Sequence, residues 1–310
     1  MDDAETLVTE VYVLVDERIH ALLPAEPRRG PAPALCAAEV ITLALVGWLL
    51  MDWSTNAFYT YVQDHFRALF PRLPHRSQYL RQLLRWRQLI AQFAVDLAAE
   101  LITDGMPAYE VLDSTAVPTR NRCRRGVGWL PDTADIGSSS RLIWYAGVHL
   151  LTSVTPAGVV TGYGGAPASA NDRRMADDFF AARAGYRDDL PEVGQARSGI
   201  YLADRGFGGA DCEQRWRDRF GAHVLCRPQP DRKTREWSAE TGQWLDRHRQ
   251  IIEQVFGRLQ SAFHLGRDRP HSHDGLRTVL ATVTAIHNLT ILINRRHTWP
   301  DLSYAHLIRR

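Results

Sequence analysis

Apolar side chains recur at three- and four-residue steps in four early stretches, which predicts helices over 5–23, 37–51, 55–69 and 77–101. Pro-rich segments at 24–33 and 71–74 separate them. Ser77 precedes the longest periodic run and is the expected N-cap. The pattern changes near Pro107, and Tyr109 to Asp113 is a short strand-like run ending in an acid. Residues 119–140 are polar, with Gly and Ser, and read as a loop. A long β-rich run over 142–155 turns at Thr155-Pro156-Ala157-Gly158 and returns over 159–163, which is a hairpin. Helices follow over 171–183, capped by Asn171 or Asp172, and over 209–220, with short strands at 199–203 and 222–226. After a charged stretch at 227–243 come two strong helices, about 245–263 and 274–296.

The resulting order is strand, long hairpin, helix, strand, helix, strand, helix. It is the chain order of an RNase H-like domain, an α/β fold with a mixed sheet flanked by helices. The expected division is an all-helical N-terminal region at 1–106, the RNase H-like domain at 107–298 and a tail at 299–310.

Composition narrows the classes. An apolar fraction of 45% excludes wholesale disorder. The longest apolar candidate for a membrane span is Val40 to Met51, too short to cross, and it reads as a core helix. The first twenty residues lack a basic segment followed by an apolar one, so no secretory signal is expected. Cys36, Cys123, Cys212 and Cys226 are scattered, which argues against a zinc site or a disulfide framework and fits a reducing cytoplasm. The net charge of +2 hides an asymmetry: residues 1–108 hold nine Arg against thirteen acids, a net of −4, so the remainder carries +6. Six Arg and no acid fall within 65–95, and Lys233 is the one lysine in the chain. A GC-rich genome accounts for the Arg bias, while its local clusters point to a polyanion.

Three carboxylates stand out. Asp113 ends the run Val111-Leu112-Asp113, and Asp204 ends Tyr201-Leu202-Ala203-Asp204. Glu253 sits in a helix beside the stripe Ile252, Phe256, Leu259 and Phe263, with Arg249 four residues earlier, close enough to pair. Singly, an Asp after a strand is often a cap or turn residue, and a Glu near an Arg is often a solvated ion pair. Together, two strand-end acids and a helix acid match what two-metal phosphoryl transfer requires: hard oxygen ligands on rigid elements, suited to Mg²⁺.

The segments Leu112-Asp113-Ser114-Thr115-Ala116-Val117-Pro118, Ala168-Ser169-Ala170-Asn171-Asp172-Arg173, Leu202-Ala203-Asp204-Arg205-Gly206-Phe207 and Arg249-Gln250-Ile251-Ile252-Glu253-Gln254-Val255-Phe256-Gly257 resemble the blocks of DDE transposases of bacterial insertion sequences. Phe70-Pro71-Arg72-Leu73-Pro74 and the Arg-rich helix after it resemble that group's N-terminal region, so the likeness spans nearly the whole chain. It implies metal-dependent DNA cleavage at mobile-element ends and strand transfer into target DNA. The implied catalytic and metal-binding triad is Asp113, Asp204 and Glu253, with two Mg²⁺ ions per site and Mn²⁺ able to substitute. The implied partner is double-stranded DNA, with a homodimer on that DNA, no membrane, a bacterial cytoplasmic location and DNA-end binding by 1–106 as expectations. The group often has a Tyr three residues before Arg249 and a Lys seven after the Glu; here those positions are Asp246 and Gln260.

DNA contacts are expected from Arg120, Arg122, Arg124 and Arg125, just downstream of Asp113, and from Arg249 and Arg258, the last standing in for the missing Lys. Asp172 and Arg249 are expected to support the triad. The helix with Arg76, Arg81, Arg85 and Arg87 fits a DNA groove or a core position equally well. His264, His271 and His273 lack metal-ligand spacing. Trp129, Trp144 and Trp237 are candidates for base stacking, with core packing the commoner fate. The rival readings are an RNase H-like nuclease without strand transfer and a DNA-binding derivative that has lost catalysis.

Overall fold

The computed structural model describes residues 4–23, 32–50, 55–102, 105–120, 130, 133–187, 192–194, 198–228, 237–267 and 270–307. The chain divides into two compact units, one of Met1–Leu97 with Leu259–Arg310 and another of Ala98–Arg258.

The first unit is helical. It holds α1 (Ala4–Ile19), α2 (Ala37–Leu50), α3 (Thr55–His65), α4 (Arg76–Arg85), most of α5 (Arg87–Leu101) and, from the far end of the chain, α9 (His273–Arg296). The single helix expected over 77–101 is two helices broken at Trp86, whose N–H bonds the carbonyls of Gln82 and Leu83. The cap before them is His75, whose ring accepts from the Ser77 N–H, so Ser77 is capped rather than capping. Helix α9, expected in the α/β domain, packs instead with the N-terminal helices, and Asn288 Nδ2 donates to the carbonyl of Ala94 at 3.0 Å. From Leu280 to Asn294 it is buried on every side, as a core helix is. By length and composition α9 suffices to cross a membrane, a longer apolar window than Val40 to Met51, but 94% of that window is buried inside the structure.

The second unit is built on a mixed sheet of β1 (Glu110–Arg120), β2 (Asp135–Ser139), β3 (Ile143–Val154), β4 (Val160–Pro167), β5 (Ile200–Ala203) and β6 (His223–Leu225). The strand order is β2-β3-β1-β5-β6, with β4 also paired to β3. The pairs β2–β3, β1–β3 and β3–β4 are antiparallel, whereas β1–β5 and β5–β6 are parallel. Helices α6 (Asp172–Arg183), α7 (Ala210–Phe220) and α8 (Ala239–Ser261) complete the unit, α8 running three residues past its boundary. This is the RNase H-like α/β arrangement. Leu112, Leu151, Phe180, Tyr201, Phe207 and Trp216 lie in the core joining the sheet to α6 and α7.

Strand β1 runs seven residues past the point where the apolar run ends, and β2 occupies part of the expected loop. Gly147 makes the tight β1–β3 pairing possible, since a Cβ there would fall 2.1 Å from the Val117 carbonyl. The β3–β4 turn closes as expected, with the Gly158 N–H bonding the Thr155 carbonyl and Gly158 at φ 83°.

Beneath the sheet lies a fully buried ion pair. Arg183 Nη1 reaches Glu110 Oε2 at 2.6 Å and the Tyr201 hydroxyl at 3.0 Å, and Nη2 reaches Thr161 Oγ1 at 2.6 Å. The side chains of Arg183 and Glu110 are 2% and 0% exposed, so each charge depends on the other. Arg183→Ala, which strands Glu110 out of water, is expected to lower the unfolding free energy by about 3–5 kcal/mol. Urea denaturation measures it, and a loss under about 1 kcal/mol would show that the pair is not desolvated.

Candidate active site

The parallel register of β1 and β5 pairs Leu112 with Ala203, so Asp113 and Asp204 are the next residues on neighbouring strands. Asp113 is held from two sides. Its Oδ1 accepts the Ser114 N–H at 2.8 Å, and its Oδ2 accepts Arg249 Nη2, from α8, at 2.9 Å. Asp204 caps the short 3-10 turn Arg205–Phe207, with Oδ1 accepting the Gly206 N–H at 2.8 Å.

A third acid joins them. Asn171 caps α6 by accepting the Arg173 N–H, which leaves Asp172 to point inward. Its Oδ1 accepts the Ser114 hydroxyl at 2.7 Å, and that hydroxyl lies 3.1 Å from His149 Nε2. A Cβ at position 206 would sit 2.9 Å from Asp204 Oδ1 and 3.1 Å from Asp172 Oδ2, so both carboxylates crowd the bare Gly206 backbone. Nearby, Arg173 Nε donates to the Gly206 carbonyl at 3.1 Å, which ties the start of α6 to the Asp204 turn.

The electrostatics follow. Burial pushes the Asp113 carboxyl up to about 6; Arg249 opposes the shift, while Asp204 and Asp172 add to it.

The expected residues are distributed unevenly. Asp113, Asp204, Asp172 and Arg249 are neighbours in the second unit: Arg249 bonds Asp113, and Asp204 and Asp172 both lie beside Gly206. Glu253 is exposed on α8, one helical turn beyond Arg249. Arg249, close enough in sequence to pair with Glu253, is bonded to Asp113. Arg258, expected to contact DNA, is buried, at 7% exposure. Arg120 closes β1, half-buried, while Arg122, Arg124, Arg125 and Trp129 lie outside the described residues. Trp144 is 55% exposed on the β2–β3 hairpin. Among the described residues no group of three His, Cys, Asp or Glu side chains is gathered to hold a metal, and the three histidines at 264, 271 and 273 form none. The residue that the sequence did not disclose is His149; its only signal was a lone imidazole within the apolar run of β3.

The raised Asp113 value affects stability. The folded value lies above the ordinary 3.8, so the contribution of the protonated form is fully present below about 4 and is lost as pH rises through about 6. Asp113→Asn mimics the neutral form. It is expected to stabilise the fold by roughly 1–3 kcal/mol near pH 7.5 and by little near pH 4. Urea denaturation at both pH values checks this, and an Asn variant less stable than the parent at the higher pH would contradict it.

A family model described as the transposase DDE domain matches residues 111–289, a span that takes in Asp113, Asp172, Asp204 and Glu253. A search of curated proteins finds no match. The matched span is more than half of the 310 residues and opens at the strand that bears Asp113, so the chain belongs to the transposase DDE domain family.

Proposed function

We propose that the chain is the transposase of a bacterial insertion sequence, cutting DNA at the element's ends and joining those ends to target DNA. The observation that carries this reading is the adjacency of Asp113 and Asp204 at the β1–β5 register, with Asp113 drawn out of water.

The donor chemistry fits a divalent cation of the Mg²⁺ type. Such an ion takes one or two carboxylates and fills its octahedron with water and phosphate oxygens, so a pre-gathered protein cage is not required. The adjacency of Asp113 and Asp204 at the strand ends, with Asp172 close to Asp204 at Gly206, supports it. Asp113 and Asp204 would hold the cations, two per site, and Glu253 would reach in from α8. Bound ions would supply charge stabilisation to the attacking and leaving oxygens of the phosphodiester. Within the chain, the Ser114 and Gly206 N–H groups fix the orientation of the two strand-end carboxylates. The Ser114 hydroxyl fixes that of Asp172. Arg120, Arg122, Arg124 and Arg125 would grip phosphates, as planar bidentate donors. The substrates would be duplex DNA at the element ends and at the target, bound by a homodimer in a bacterial cytoplasm, with the 1–106 region on the ends. Hydrolysis alone would make the protein a nuclease; joined products in a strand-transfer assay separate the two.

Glu253→Gln leaves an exposed position nearly isosteric, so the protein should fold and bind DNA as before, while Mg²⁺-dependent nicking of a terminal-repeat duplex falls by at least about a hundredfold. Near-normal nicking would move the third ligand elsewhere, with exposed Glu240 or Glu236, outside the described residues, next in line. Neutralising Arg122, Arg124 and Arg125 together should weaken binding to all duplexes. It should also flatten the log–log salt slope by about 0.9 for each phosphate that the protein no longer neutralises. An unchanged slope would remove the segment from the DNA interface.

A further inference from the structure

Arg249 sits where a cation is expected. Its Nη2 donates to Asp113 Oδ2 at 2.9 Å, and the two side chains are 18% and 19% exposed. The other oxygen of Asp113 is taken by the Ser114 N–H. Both oxygens of this strand-end carboxylate are therefore engaged by the protein itself. The guanidinium is only partly used, since Arg249 Nε is buried with no hydrogen-bond partner among the described residues.

A partly buried carboxylate flanked by two further acids is stabilised in its charged form by a positive charge beside it. In the chain alone, that charge is Arg249. We propose that Arg249 is a placeholder cation, occupying on Asp113 the oxygen that a divalent ion takes and holding down ion affinity until it leaves. The inference rests on the reading of Asp113 as an ion-binding residue. A guanidinium and a divalent ion brought to the same carboxylate oxygen repel each other, so each weakens the other, and the coupling is reciprocal. The released guanidinium, with its idle Nε, is a fork matched to a phosphate oxygen pair. Arrival of a phosphodiester would thus draw Arg249 off Asp113 and favour loading of the ion. Glu253, one turn along the same helix, would move with any shift of α8 that carried Arg249 away.

The test needs no DNA and no catalysis. Mn²⁺ is titrated into the full-length protein near pH 8, above the range to which burial raises Asp113, with free Mn²⁺ followed by electron paramagnetic resonance. Arg249→Gln is expected to tighten Mn²⁺ binding about tenfold, because a charged hydrogen bond that competes with the ion is gone. Arg174→Gln, at an exposed position early in α6, removes an equal charge without freeing Asp113 and should change affinity less than about threefold. Circular dichroism confirms folding, and Arg249→Met replaces the Gln variant if that one does not fold. Asp113→Asn should weaken binding sharply. Unchanged or weaker binding by Arg249→Gln, with Asp113→Asn weakened, overturns the placeholder alone. Parent-like binding by Asp113→Asn removes the ion site and this inference with it.

Discussion

Three neighbouring carboxylates repel one another, and Asp113 is partly withdrawn from water as well. The arrangement persists because the backbone leaves the acids little freedom. Parallel pairing of Leu112 with Ala203 sets Asp113 beside Asp204. The β1–β3 ladder holds Asp113 opposite Thr152 and brings His149 to Ala116, within reach of Ser114. Each carboxylate then receives a backbone or hydroxyl donor from a neighbouring residue or strand. The result is a site with electrostatic strain, relieved in the chain by Arg249.

The same strand is anchored three residues earlier by a different charge pair. Glu110 begins β1 and meets Arg183 at the last turn of α6, whose first turn bears Asp172. One helix is therefore pinned at both ends to one strand, through a buried ion pair at its base and through Ser114 at its tip. A shift of α6 along the sheet would break both links. Buried polar groups of this kind restrict the packing to one register, since any slip leaves them unpaired.

Much of this is legible in the residues. The strand-end positions of Asp113 and Asp204 follow from apolar runs that stop at an acid, and the β3–β4 hairpin follows from Pro156 and Gly158. The rest is hidden for physical reasons. No Gly or Pro marks the break at Trp86, so the periodicity runs through it. Pro118 and the polar residues around it disguise the second half of β1, where pairing to β3 outweighs propensity. Helix α9 shows its apolar character but not its partner, because amphipathicity does not say against what a face packs. The four-residue helical spacing points Arg249 at Glu253, whereas its bond runs to Asp113, 136 residues away in sequence. His149 is unreadable for the same reason, since its meaning arises only when β1, β3 and α6 meet.

The central claim is that Asp113 and Asp204 share a divalent cation. Anomalous diffraction from crystals soaked in saturating Mn²⁺ tests it without a DNA substrate or an activity assay. The account predicts a peak within about 2.0–2.3 Å of a carboxylate oxygen of both residues, with Arg249 displaced from Asp113 Oδ2. Occupied Mn²⁺ sites elsewhere on the protein, with the Arg249–Asp113 pair intact and no peak between the two strand ends, would contradict it.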